Sequence, residues 1–88
     1  MQNVQQYILQ HKQRFLDELF EMLRIPSISA DAKYKDDVAK TADFVSDSLK
    51  KAGCQKVQIY TTKGHPIVYG EHTLDPALPT VLVYGHYD

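Results

Sequence analysis

The residues best suited to chemistry stand together in Gly85-His86-Tyr87-Asp88. In extended backbone, side chains two apart project to the same side. His86 and Asp88 would then face one site, with Tyr87 directed away from it. A neutral imidazole is a common metal ligand. A carboxylate beside it is either a second ligand or the acceptor of the other ring N–H, which orients the imidazole. Gly85 leaves room for a partner or a metal to approach the backbone. A bare His-x-Asp pair arises often by chance, and as a chain end it reads simply as two solvated polar residues. Its place gives it weight. It follows the apolar run Thr80-Val81-Leu82-Val83-Tyr84, bounded by Pro79 and Gly85. Such a run reads as a strand buried on both faces, and functional groups collect at the carboxyl ends of buried strands in α/β sheets.

The elements that must position this pair are legible upstream. From Asn3 to about Arg24, Val4, Ile8, Phe15, Leu19, Met22 and Leu23 fall at spacings of three, four and seven, widened by Tyr7, Leu16 and Phe20. That is one face of an amphipathic helix, with Asn3 as its expected cap and Pro26 as its stop. A polar connector, Pro26 to Asp31, leads to a second helix that begins near Tyr34 to Asp36 and runs to Ala52. Its apolar face is Val38, Ala42, Val45, Leu49 and Ala52, with Phe44 beside it. Asp36 and Asp37 at its start and Lys50 and Lys51 at its end suit the helix dipole, and Gly53 closes it. After Cys54 the period drops to two. Val57, Ile59 and Thr61 alternate with Lys56, Gln58 and Tyr60, which marks a half-buried strand. Lys63-Gly64-His65-Pro66 is turn chemistry, and Ile67 to His72 completes an antiparallel hairpin. The expected class is α/β: two helices, a β-hairpin and a buried strand.

Composition narrows the function. The chain has 88 residues, 43 % of them hydrophobic and 24 % charged, which describes an ordinary globular protein and one domain at most. Ten Lys plus Arg against eleven Asp plus Glu give a net charge of −1, which removes the electrostatic case for nucleic-acid or anionic-membrane partners. The single cysteine, Cys54, excludes an internal disulfide framework and a multi-Cys zinc site. No stretch approaches the roughly 18 apolar residues of a membrane span, and MQNVQQYILQ lacks the form of a signal peptide. The expected compartment is the cytoplasm, where a free thiol is at home.

The other reactive side chains have plainer readings. His65 and His72 are turn or surface histidines at the ends of the hairpin, and His11 packs on the apolar stripe of the first helix. Asp36, Asp37, Asp43 and Asp47 form a solvated helix face. Cys54 is a structural thiol, with no His and Asn arranged to activate it. Ser27 and Ser29 stand in a turn without the G-x-S-x-G setting of a serine hydrolase.

Three segments then point the same way. Pro79 to Asp88, PTVLVYGHYD, resembles the first metal-binding motif of the M20 family of zinc peptidases, particularly its dipeptidase-like branch. Leu23-Arg24-Ile25-Pro26-Ser27-Ile28-Ser29 resembles the LxxIPSIS turn after that family's first helix, and Gly64 to Glu71 resembles its GHPVVYGE hairpin. The resemblance spans nearly all of the chain. It implies the start of a zinc-exopeptidase catalytic domain of α/β/α build, with residues 1–88 its N-terminal part. It implies His86 as a ligand to one zinc of a two-metal centre, and Asp88 as the carboxylate that orients that imidazole. The bridging Asp, the general-base Glu, the further ligands and the lid or dimerisation domain of the family have no counterpart here. A catalytic zinc needs about three protein ligands and a water, and one or two are on offer.

The leading expectation is therefore the N-terminal portion of a zinc-dependent exopeptidase or dipeptidase. Its substrate is a small peptide, its assembly a homo-oligomer, and the 88 residues alone are inactive and hold zinc weakly. The competing expectation is a free-standing small α/β interaction domain, in which His86 and Asp88 are incidental and the sheet edge is the working surface. On either view an uncovered apolar strand promotes self-association.

Overall fold

The computed structural model describes residues 2–88, with side chains from Asn3 onward. Helix α1 spans Gln2–Leu23. It starts two residues earlier than the capping reading requires, so Asn3 lies inside the first turn rather than at the cap. The stop is as expected. Ile25 N–H donates to Met22 O at 3.1 Å, and Pro26 then turns the chain away. The amphipathic stripe, however, is largely uncovered. Val4, Ile8, Leu19, Phe20 and Leu23 are 44–63 % exposed, and only His11, Phe15 and Met22 along it are half-buried. A tilted contact of the Tyr7 ring with His11, centroids 4.3 Å apart, and of His11 with Phe15 at 6.3 Å covers part of it. The helix extends past the body of the chain. The radius of gyration is 15.1 Å, against about 12 Å for a compact domain of this length.

After the turn, Asp31 caps a short 3₁₀ turn, Ala32–Tyr34, by accepting from Lys33 N–H at 3.0 Å. Helix α2, Lys35–Lys51, follows directly. Its buried face is Val38, Thr41, Ala42 and Ser46, a spacing of three, one and four that repeats along one side of a helix. Val45 and Leu49 are half-buried beside them. Thr41 satisfies its hydroxyl by donating to Asp37 O at 3.0 Å. The end of α2 is a Schellman motif. Gly53 N–H donates to Lys50 O and Cys54 N–H to Leu49 O, both at 3.1 Å, with Gly53 at φ 101°. A side chain at Gly53 would be strained there.

That closure aims the chain into the hairpin. Strands β1, Lys56–Tyr60, and β2, Ile67–Glu71, pair antiparallel with Val57 opposite Gly70 and Ile59 opposite Val68. Val57, Ile59, Val68 and Gly70 alternate inward and pack on α2. Gly70 lets the helix come close, because a Cβ there would lie 3.0 Å from Leu49 Cδ1. Tyr60 and Tyr69 meet edge-on across the outer face, 6.4 Å apart. The two-helix and hairpin expectation holds.

The final buried strand is not formed. No strand is assigned among residues 80–88, and Val81, Leu82, Val83 and Tyr84 are 82–89 % exposed. An apolar run becomes a strand only against a sheet edge that accepts it. Among the described residues, β1 and β2 pair only with each other.

Candidate functional site

Three connecting segments meet on one side of the hairpin: the turn after α1, the β1–β2 loop and the tail Gly85 to Asp88. The loop is shaped by Thr62, whose hydroxyl accepts from Gly64 N–H at 3.0 Å and donates to His65 O at 2.7 Å. His65 then reaches the α1 turn. Its Nε2 lies 2.9 Å from Ser29 O, and because a carbonyl only accepts, that nitrogen carries the proton. The tail is tied down twice. Tyr87 Oη donates to Pro66 O at 2.5 Å, and Ser29 Oγ donates to Asp88 Oδ2 at 2.5 Å.

These ties bring His86 and Asp88 together. His86 Nδ1 lies 3.4 Å from Asp88 Oδ1, with the imidazole 72 % exposed. The distance is that of an ion-pair contact, slightly long for a closed hydrogen bond. Tyr84 sets its ring edge-on to the same imidazole at 5.5 Å. The Ser29 hydroxyl, with smaller help from His86 and against some desolvation, holds the Asp88 carboxyl below its usual range. Burial and the neighbouring Asp88 charge push the Tyr87 phenol up. At neutral pH the Asp88 carboxylate and the Tyr87 phenol, with the His86 ring beside them, line a solvent-open cleft of about 360 Å³ bordered by Val38 and Val68. Tyr87 borders this cleft as well, although its hydroxyl is committed to Pro66.

The donor set suits part of a metal site. If Nδ1–H is directed at Asp88, Nε2 is left with its lone pair free, the usual form of a ligating histidine. One imidazole nitrogen and one carboxylate match the N and O preferences of zinc. Among the described residues, no three or more His, Cys, Asp or Glu side chains gather closely enough to hold a metal ion. The pair by itself offers at most two donors.

Sequence reasoning gave Ser29 and His65 no role, and both are joined to the site. The remaining groups behave as expected. His72 Nδ1 pairs with Gly53 O at 3.1 Å, His11 packs against the Tyr7 ring, and Cys54 is half-buried near Gly70. Ser27, beside Ser29, has its hydroxyl oxygen buried and unpartnered. No helix among the described residues is long and apolar enough to cross a membrane.

No protein-family model matches the chain, and no solved structure does. Curated proteins do match. The chain is 36 % identical over 89 residues to a Cys-Gly metallodipeptidase of Candida albicans and 34 % identical over 86 residues to one of Schizosaccharomyces pombe. It is 28 % identical over 89 residues to the Cys-Gly metallodipeptidase of Saccharomyces cerevisiae. Each comparison covers 88 % of this chain and 18 % of the relative. The chain thus spans under a fifth of the length of the curated relatives it matches.

Proposed function

On the premise that this chain is an M20-type metallodipeptidase homologue, matching the N-terminal part of its relatives, we propose that it builds the first metal-binding corner of a dipeptidase active site. His86 is the zinc ligand through Nε2. Asp88 stays outside the coordination shell, accepts from Nδ1–H and keeps the imidazole in the ligating tautomer. The observation that carries this reading is the His86–Asp88 contact at 3.4 Å on the rim of a cleft. When bound, zinc supplies a cation that activates water and polarises the scissile carbonyl. This chain's own residues orient the ligand, line one wall of the cleft and anchor that wall to the α1 turn and the hairpin loop.

The substrate class is a small dipeptide of the Cys-Gly kind, after the activity named for the relatives. Action on it takes the full set of metal ligands and a general base, so the 88 residues alone do not hydrolyse peptides. The cytoplasm is the compartment that fits a lone free thiol.

A chimera tests the reading. This chain replaces the corresponding segment of the Candida albicans relative, and Cys-Gly hydrolysis is measured with and without chelator. The expected result is chelator-sensitive activity that His86→Ala abolishes and Asp88→Asn reduces by about 10- to 100-fold, the usual loss for a group that orients a ligand. Full activity in a His86→Ala chimera would end the proposal.

A further inference from the structure

The two oxygens of Asp88 have different partners. Oδ2 accepts from the Ser29 hydroxyl, 59 residues away in sequence, while Oδ1 faces His86 Nδ1. An exposed His–Asp pair on its own is loosely held, because both side chains must give up rotamer freedom to stay in register. Asp88 is 39 % exposed and His86 72 %, so the pair needs an external anchor to keep one geometry. Ser29 is such an anchor. It is half-buried in a turn whose backbone is closed by Ser27 N–H to Ile25 O at 2.8 Å and Ile28 N–H to Pro26 O at 2.9 Å. Its carbonyl is held in turn by His65 Nε2–H.

We propose that Ser29 is a positioning residue: its hydroxyl fixes the Asp88 carboxylate so that the other oxygen meets His86 Nδ1 and leaves Nε2 directed outward as the ligating nitrogen. His65 supports it by clamping the Ser29 backbone. The Ile25-Pro26-Ser27-Ile28-Ser29 turn is thereby a working part of the site as well as a helix stop. The inference rests on the reading of His86 as a metal ligand, and its test separates the two.

The ¹⁵N-labelled 88-residue chain is compared with Ser29→Ala, Ser29→Thr and His86→Ala. Long-range imidazole spectra, taken where the ring is neutral, report the His86 tautomer without metal. Calorimetric titration with zinc reports affinity. Ser29→Ala removes no backbone bond of the turn, and circular dichroism checks that the fold persists. The expected result is a dominant Nδ1–H tautomer in the parent, a shift toward Nε2–H in Ser29→Ala, and restoration in Ser29→Thr, which keeps the hydroxyl. Zinc binding that depends on His86 weakens by about tenfold in Ser29→Ala, the lower edge of the range for groups that orient a ligand. An unchanged tautomer and unchanged affinity in Ser29→Ala, with zinc binding lost in His86→Ala, overturns the role of Ser29 alone. Zinc affinity that survives His86→Ala overturns the metal reading, while the tautomer comparison still decides what Ser29 does.

Discussion

Replacing Val38 by Ala probes the wall on which the site rests. Val38 is 1 % exposed, belongs to the buried face of α2, and also borders the cleft beside His86 and Asp88. The substitution deletes two methyl groups from a fully buried position. At about 0.8 kcal/mol per buried carbon, the lost transfer free energy is about 1.6 kcal/mol. A sealed core would add a cavity term. Here the new space is continuous with the open cleft and fills with water, so that term stays small and the total is about 1.5–2 kcal/mol. For a domain of this size each kcal/mol moves Tm by about 4–8 °C, which gives a drop of about 6–16 °C. Urea unfolding followed by circular dichroism should show a lower midpoint at an unchanged slope. Val38→Thr is the control. It keeps the shape but buries a hydroxyl, at a cost of about 1–3 kcal/mol if that hydroxyl stays unpaired. If Val38→Ala costs under about 0.5 kcal/mol, below the range of large-to-small core losses, α2 is not packed on the hairpin through this residue.

Three further outcomes follow from other parts of the fold. Gly70→Ala places a Cβ 3.0 Å from Leu49 Cδ1 and 3.5 Å from Cys54 Sγ. Overpacking of about 1–3 kcal/mol then outweighs the 0.4–1 kcal/mol or so gained from the unfolded chain, and the loss should shrink in a Leu49→Ala background, read by a double-mutant cycle. Tyr69 Oη donates to Glu71 Oε2 at 3.1 Å, and this bond, with the carboxylate charge, raises the phenol above its ordinary value. The bond is therefore intact below the ordinary tyrosine range and lost as pH rises through the elevated value; Glu71→Gln should lower the Tyr69 midpoint in an NMR titration, and no movement would show the contact absent in solution. The exposed α1 stripe and the Val81 to Tyr84 run leave large apolar side chains uncovered, the kind of surface that promotes association. Sedimentation should reveal concentration-dependent self-association that Val81→Lys with Val83→Lys weakens, and a monomer at high concentration would refute it.

What was legible in the sequence is what depends on local periodicity and local closure. The α2 face, the Gly53 stop and the alternation of Val57 and Ile59 each follow from the chain within a few residues of themselves. The stop and the alternation stand where the spacing puts them, and the α2 face does so at Val38 and Ala42, with Thr41 and Ser46 added to its buried side and Ala52 left exposed. The α1 stripe and the 80–84 run were read correctly as apolar, but the strand expected of 80–84 does not form. Whether an apolar surface is buried depends on what lies opposite it, and neither segment finds an opposing layer here. Asn3 failed as a cap because α1 already includes Gln2.

The site divides along the same line. That His86 and Asp88 share a side is a two-residue regularity, and the 3.4 Å contact agrees with it. That Asp88 is held from Ser29, and Ser29 from His65, involves separations of 59 and 36 residues, which no periodicity records. A weaker signal was nonetheless present. The three segments that resemble one family, the α1 turn, the hairpin loop and the tail, are also the three that converge around Asp88. Side chains that meet only after folding, with no shared element and little buried apolar area between them, contribute little to a core. Their joint presence is better explained by the geometry they impose on one imidazole than by the stability they add.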